Sequence, residues 1–166
     1  MNDESLLMAF RDEGTEDAFA ELVRRPEGVV YGTALRLVKN PDTAEEIAQQ
    51  VFCTLAQKAH TVRNPALTIA WLHRTSHQLA LLHLRTEKRR QLREHAAVMD
   101  LTSPDSAPHW QELEPLLDGA LETLDEPDRT AILLRYFEGR SMVDVGSALG
   151  VGEGAARMRV DRKSVV

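Results

Sequence analysis

The chain has 166 residues, of which 43% are hydrophobic and 28% charged, with a formal net charge of −6 and a single cysteine, Cys53. That length bounds it to one domain or two small ones, and no apolar run approaches the roughly 20 residues that cross a bilayer, so membrane insertion is not expected. One cysteine excludes an intramolecular disulfide and, with an acidic N-terminus that lacks a basic-then-apolar signal pattern, predicts a reducing, cytoplasmic location.

The average charge hides an alternation. Residues 1–62 hold 6 basic and 11 acidic groups, residues 63–95 hold 7 and 2, residues 96–128 hold 0 and 9, and residues 129–166 hold 7 and 4. Two basic segments able to meet phosphates are thus set between acidic ones that oppose unspecific adhesion to a polyanion.

In chain order, "SLLMAF" predicts a short apolar helical turn with Ser5 as its cap. Thr15 precedes "EDAFAELVRR", whose Ala18, Phe19, Leu22 and Val23 share a helix face. Pro26 and Gly28 predict a break, after which "VVYGTALRLVK" resumes the helical pattern as far as "NPD". A strongly amphipathic helix is predicted from Thr43, with Ala44, Ile47, Ala48, Val51, Phe52 and Leu55 as its apolar stripe and acids in its first turn facing the positive end of the dipole. Cys53 lies among apolar neighbours and reads as a packed thiol. The loop "HTVRNPAL" precedes a long helix over 68–94, apolar early and basic late. Residues 96–110, rich in Pro, Ser and Asp and without a basic group, have the composition of a linker. Four further helices follow: "WQELEPLLDGALETL", "DEPDRTAILLRYFEG", "SMVDVGSALG" and "EGAARMRVDRK". No strand-like alternation and no internal repeat occurs. The fold class expected is all-α, two small helical domains joined by a flexible acidic linker, with boundaries at 1–95, 96–110 and 111–166.

Two constellations carry chemistry. Near the C-terminus, Ser141 with Asp144 three residues on forms a capping-box-like start, and Gly150 suits a left-handed helix end. The following helix, after a turn of about three residues, makes a helix-turn-helix. Val145, Leu149, Val151, Ala156 and Val160 are its expected shared core, and Gly146 is small where the helices should cross. Arg157, Met158, Asp161 and Arg162 are spaced to face outward, with Arg159 at the margin. The plainer reading of these arginines is a solvated terminal helix. The second constellation is the long helix. Trp71, His73, Arg74, Thr75, His77 and Gln78, followed by Arg85, Lys88, Arg89, Arg90 and Arg93, combine an indole, hydrogen-bonding side chains and cations on one scaffold, which suits a nucleic-acid strand, including an unstacked one. The competing readings are core packing for Trp71 and dipole-complementing charge for the basic run. His73 and His77 have a metal-compatible spacing, but no acid lies between them and no third ligand follows, so no metal is expected. No Gly-rich phosphate loop, nucleophile motif or carboxylate pair stands out, so no catalytic residue, cofactor or enzyme activity is expected.

Taken together, these segments resemble the bacterial RNA polymerase sigma factors of the extracytoplasmic-function (ECF) type. "EDAFAELVRR…VVYGTALRLVKNPDTAEEIAQQVFCTLAQKA" is similar to the part of region 2 that docks on the polymerase clamp. "AWLHRTSHQLALLHLRTEKRR" is similar to the part that melts and reads the −10 element, and "LLDGALETLDEPDRTAILLRYFEGRSMVDVGSALGVGEGAARMRVDR" is similar to region 4, which reads the −35 element. The resemblance spans about nine-tenths of the chain in family order. It implies core RNA polymerase and promoter DNA as partners, and an anti-sigma factor as a further partner class. By resemblance, polymerase contact falls on Glu45, Glu46, Gln49 and Gln50. The −10 contacts fall on Arg63 and Asn64 in the base-capturing loop and on Trp71, His73, Arg74, His77, Gln78, Arg85, Lys88 and Arg89. The −35 contacts fall on Ser141, Glu153, Arg157, Met158, Arg159, Arg162 and Lys163. This sequence departs from the family at Gln50, often acidic, at Gln78, often Asn, and at Leu82, often Asp. It also has "KSVV" after "RVDR" where relatives continue for another basic, Leu-containing turn or two, which predicts a reading helix that frays from about Arg162 and a weakened −35 grip.

Two other readings compete. An autonomous helix-turn-helix regulator would need operator binding without polymerase and leaves residues 15–95 unexplained. A metal-dependent helical enzyme using His73 and His77 lacks a ligand set.

Overall fold

The N-terminal helices form because short apolar stripes find one another across tight turns. The computed structural model describes residues 3–62, 64, 67–95 and 110–163, and every regular element among them is helical. Helix α1 (Asp3–Glu13) begins ahead of Ser5, so that serine lies inside the first turn and is not the cap expected of it. Leu6 and Leu7 are buried, and Phe10 packs on Phe19 with ring centroids 4.6 Å apart. Gly14, at φ +65, turns the chain into α2 (Glu16–Arg24). Thr15 has the extended backbone of an N-cap, but its hydroxyl donates back to the Ala9 carbonyl at 3.4 Å and does not cap α2. Pro26 does not open a loop. It occupies the N-cap position of α3 (Glu27–Val38), where a missing N–H costs nothing, and Gly28 lies inside that helix.

Lys39 in the left-handed region ends α3, and α4 (Pro41–Lys58) starts two residues earlier than the sequence pattern suggests. Asn40 is its cap, accepting from the Thr43 N–H at 3.1 Å, and Pro41 takes the first helical position. The first turn therefore holds Asp42, and Glu45 and Glu46 fall in the second turn, outside the strongest part of the dipole field. Ala44, Ile47, Ala48, Val51 and Leu55 are buried as expected, with Phe52 packed at the edge of the same cluster, whereas Cys53 is exposed. A short 3₁₀ turn (Ala59–Thr61) leads towards α5 (Thr68–His95). Helix α5 is tied to α3 by the Ser76 hydroxyl, which donates to the Val30 carbonyl at 2.7 Å. The expected linker lies, apart from Trp110, outside the described residues.

The C-terminal half follows the four expected helices: α6 (Trp110–Glu122), α7 (Glu126–Ile132), α8 (Met142–Leu149) and α9 (Glu153–Lys163). Asp125 caps α7 by accepting from the Asp128 N–H at 2.9 Å, and α7 runs on as a π turn over Leu133–Phe137. Val145, Ala156 and Val160 are buried at the α8–α9 crossing, and Leu149 and Val151 pack at its edge.

The two halves are not separate beads. Val29 of α3 and Ile69 of α5 are buried in the same apolar cluster as Leu121, Ala131, Leu133 and Leu134 of the C-terminal half. Two small helical domains on a flexible acidic linker was the simplest account of the sequence, and it did not include their packing on one another. Periodicity within a helix cannot reveal that two residues of an N-terminal core face also face a second core.

Gly146 of α8 lies against the backbone of the turn that leads into α9. A Cβ there would lie 2.8 Å from the Val151 carbonyl oxygen and 3.3 Å from the Glu153 nitrogen, both backbone atoms that cannot rotate away. Gly146→Ala should destabilise the C-terminal half by about 1–3 kcal/mol. Gly154→Ala, where nothing lies within 4 Å, should stabilise it by about 0.5–1 kcal/mol by removing unfolded-chain entropy. Chemical denaturation of the two variants checks the opposite signs.

Candidate nucleic-acid interface

The outer face of α4 is polar because its inner face is used up by the core. Glu45, Glu46, Gln49 and Gln50 recur one turn apart and are all exposed, with Cys53 continuing the same side. They form one contiguous surface whose side chains have no hydrogen-bond partner among the described residues.

On α5 the predicted strand-reading residues separate into two faces. Gln78 is exposed, and Arg85, Lys88 and Arg89 project from the solvated end of the helix, where Arg90 is occupied by Glu87 at 2.6 Å. Gln78, Leu82, Arg85 and Arg89 follow one another at helical spacing, so the solvated stripe is continuous. Trp71 is half-buried against the N-terminal core, and Thr75 donates to its carbonyl at 2.8 Å. In the preceding loop Asn64 is exposed, and Arg63 lies outside the described residues.

His73, Arg74 and His77 turn the other way, towards α6. The His73 ring is fully buried, with Nε2 3.0 Å from Asp118 Oδ1 and Nδ1 3.2 Å from Glu122 Oε1. Arg74 Nε donates to Glu122 Oε2 at 3.1 Å. From α3, Arg36 grips both oxygens of Asp118, each at 2.8 Å, and its guanidinium lies 5.3 Å above the centre of the Phe137 ring. Burial pushes the Asp118 carboxyl up, but hydrogen bonds from Arg36 and His73 outweigh it and hold the group below the ordinary aspartate value. Arg129 completes the seam. It is buried, caps the end of α6 by donating to the carbonyls of Leu121, Glu122 and Leu124, and sits 3.6 Å from the Glu122 carboxylate. Arg36, Asp118, Glu122 and Arg129 were not singled out from the sequence. The one available signal was Asp118 and Glu122 at i, i+4 on a helix in the segment that has no basic residue.

His73 and His77 stack with centroids 6.3 Å apart. Among the described residues no trio of His, Cys, Asp or Glu is arranged to hold a metal ion.

The helix-turn-helix is built as its sequence suggests. Ser141 caps α8, accepting from the Asp144 N–H at 3.2 Å and donating to the Asp144 carboxylate at 2.6 Å. Gly150, at φ +67, closes the helix in the left-handed region. On α9, Arg157, Met158, Asp161 and Arg162 are exposed on one side, with Met158 at 70%. Glu153 pairs with Arg157 at 3.0 Å. Arg159 instead reaches Asp128 of α7 at 2.7 Å and fastens α9 to the body of the half. Lys163 ends α9, and its side chain lies outside the description.

Comparison with known proteins agrees with this layout. Residues 22–90 match the family model of sigma-70 region 2, and residues 120–162 match that of sigma-70 region 4. The chain is 32% identical over 158 residues to the RNA polymerase sigma factor CarQ of Myxococcus xanthus, covering 92% of this chain and 88% of that protein. It is 30% identical over 158 residues to the ECF RNA polymerase sigma factor SigE of Mycolicibacterium smegmatis, covering 91% and 60%. It is also 28% identical over 156 residues to the probable RNA polymerase sigma factor RfaY of Xanthomonas campestris, covering 90% and 39%. The chain thus spans less than two thirds of the length of the last two.

His77 makes the seam sensitive to acid. Burial pushes its pKa below the ordinary 6.5, against the pull of Glu122 and Asp118 and with the help of the nearby His73 and Arg129 charges. The unfolded chain therefore takes up this proton first, and stability falls as pH drops below about 6.5 towards the folded value. Relative to the wild type, His77→Gln should flatten the loss of melting temperature between pH 7.5 and 5.5. Equal slopes for the two proteins would exclude His77 as the group responsible.

Proposed function

The chain belongs to the sigma-70 family, in its ECF group, and we propose on that basis that it binds core RNA polymerase and directs promoter-specific initiation of transcription. The observation that carries this reading is the presence, in order and in one chain, of the region 2 match with an exposed polar face on α4 and the region 4 match with a complete helix-turn-helix.

In this reading Glu45, Glu46, Gln49 and Gln50 meet the polymerase. The solvated stripe of α5, with Gln78, Arg85, Lys88 and Arg89 and with the half-buried Trp71 two turns before Gln78, meets the −10 region, and His73, Arg74 and His77 meet it on the side that α6 covers in this structure. Asn64 belongs to the preceding loop. Cations at the basic end supply the salt-dependent, sequence-independent attraction to phosphates, and the half-buried indole offers a stacking surface for an unpaired base. On α9, Arg157 and Arg162 reach the −35 element by phosphate or guanine contact, and Met158 suits a thymine methyl group. Ser141 and Glu153 stand at the two helix starts beside them. Arg159 acts chiefly as the strut that orients α9. No step requires the protein to make or break a covalent bond, so we read it as a non-enzymatic initiation factor acting where polymerase acts, in the cytoplasm. No helix among the described residues is long and apolar enough to cross a membrane. An autonomous helix-turn-helix regulator would leave residues 22–90 without a task.

Run-off transcription with core polymerase on a candidate promoter is the direct test, and absence of a promoter-dependent product with active core would sink the reading. Two substitutions locate its parts. Glu45→Lys with Glu46→Lys should lower core retention in a pull-down by about tenfold, in line with reversing charges that steer and register an interface. Gln78→Ala should reduce permanganate reactivity of promoter thymines while leaving core retention unchanged.

A further inference from the structure

The residues that ought to meet a melted strand are divided between solvent and a second helix of the same chain. Arg36, His73 and Arg74 converge on one small volume between α3 and α5, and the groups that fill it are the carboxylates of Asp118 and Glu122. Arg36 holds Asp118 through two parallel N–H···O bonds, the geometry by which guanidinium also takes a phosphate. We propose that Arg36, His73 and Arg74 form an anion site for the phosphodiester backbone of single-stranded DNA, which α6 occupies in the free chain through Asp118 and Glu122. The described arrangement is then a closed form that must open before the strand binds. This rests on the reading of α5 as the strand-facing helix.

Three observations support it. The occupying groups have the sign of a phosphate and come from the segment 96–128, which carries nine acids and no base, whereas the site lies beside the segment 63–95, which carries seven bases and two acids. Closure buries His73 and Asp118 completely, so the strand and α6 cannot share the site. The seam is reversible on physical grounds. The Coulomb attraction of a buried charge network is largely offset by the cost of drying its members. The apolar part of the contact is short, centred on Val29 and Ile69, as in interfaces between domains that move.

The test uses the full chain. Dyes on Cys53, exposed on α4, and on Ser147→Cys, exposed on α8, report the separation of the halves by energy transfer. A fluorescent −10-like single-stranded oligonucleotide reports strand binding by anisotropy. Asp118→Asn with Glu122→Gln should lower the transfer efficiency. If the open form is populated at about a tenth in the wild type, the double variant should tighten apparent oligonucleotide affinity about tenfold. Adding Arg36→Gln to the open variant should remove that gain, and Glu16→Gln, remote on α2, should leave both signals at wild-type levels. Should circular dichroism show the double variant unfolded, Glu122→Gln alone, at the partly exposed side of the seam, must move both signals in the same directions. Unchanged transfer overturns the closed form. Lower transfer without tighter binding overturns the anion site. Run-off transcription by the wild-type chain separates these failures from failure of the sigma reading: a promoter-dependent product with either negative result sinks this proposal alone, and tighter binding without any product sinks the sigma reading alone.

Discussion

The carboxylate of Asp118 organises the packing of the two halves. It is fully buried, and its oxygens are shared between Arg36 of α3 and His73 of α5. A lone buried carboxylate would be too costly to keep ionised. Its two partners make it tolerable and fix where α6 must sit. Removing one partner from such a cluster typically costs about 3–5 kcal/mol because the other charge is left dry and unpaired. Glu122 follows one turn later and repeats the arrangement with His73 and Arg74, while Arg129 holds the end of α6 in place by capping its last carbonyls.

That seam gives the alternating charge of the chain a structural meaning. Acidic and basic segments that look like separate solvated faces along the sequence are opposed across the contact, so part of the net charge is neutralised internally. The same cations that suit phosphates are then occupied by carboxylates, while Arg85, Lys88 and Arg89 stay in solvent. In the function and the anion site proposed above, long-range attraction to DNA from the exposed cations and short-range anion binding at Arg36, His73 and Arg74 are separable properties. Only the second depends on how α6 is placed.

The C-terminal half is held by more local means. Ser141 and Asp125 cap their helices, Gly150 turns the chain where a side chain would be strained, and Gly146 admits the backbone of the following turn at 2.8 Å from where its Cβ would be. The Arg159–Asp128 pair adds a brace between α9 and α7. Helix α9 is thus oriented chiefly by contacts close to it in its own half.

How much was legible in the sequence follows from the range over which each interaction acts. Helical periodicity, caps and the Gly150 turn are set by residues within one or two turns of each other. For that reason the span of α5, the buried stripe of α4, the four C-terminal helices and the outward set Arg157, Met158 and Arg162 could be read directly. Smaller local contests went the other way. Asn40 outcompeted Thr43 as the cap of α4 because an asparagine followed by proline matches both the cap and the first helical position. Pro26 started a helix instead of breaking one because it stands at the N-cap position, where its missing N–H leaves no helical bond unmade. What no local pattern could specify was the partner of each polar side chain at long range. Arg36 and Asp118 are 82 positions apart, and neither position has a periodicity that names the other. The sequence by itself determined which residues form helices and which faces are apolar. Only the packing of α3 and α5 on α6 decided that His73, Arg74 and His77 face carboxylates while Gln78, one residue on, faces water, because a single turn of helix directs neighbouring side chains to opposite sides and tertiary contact chooses which side is covered.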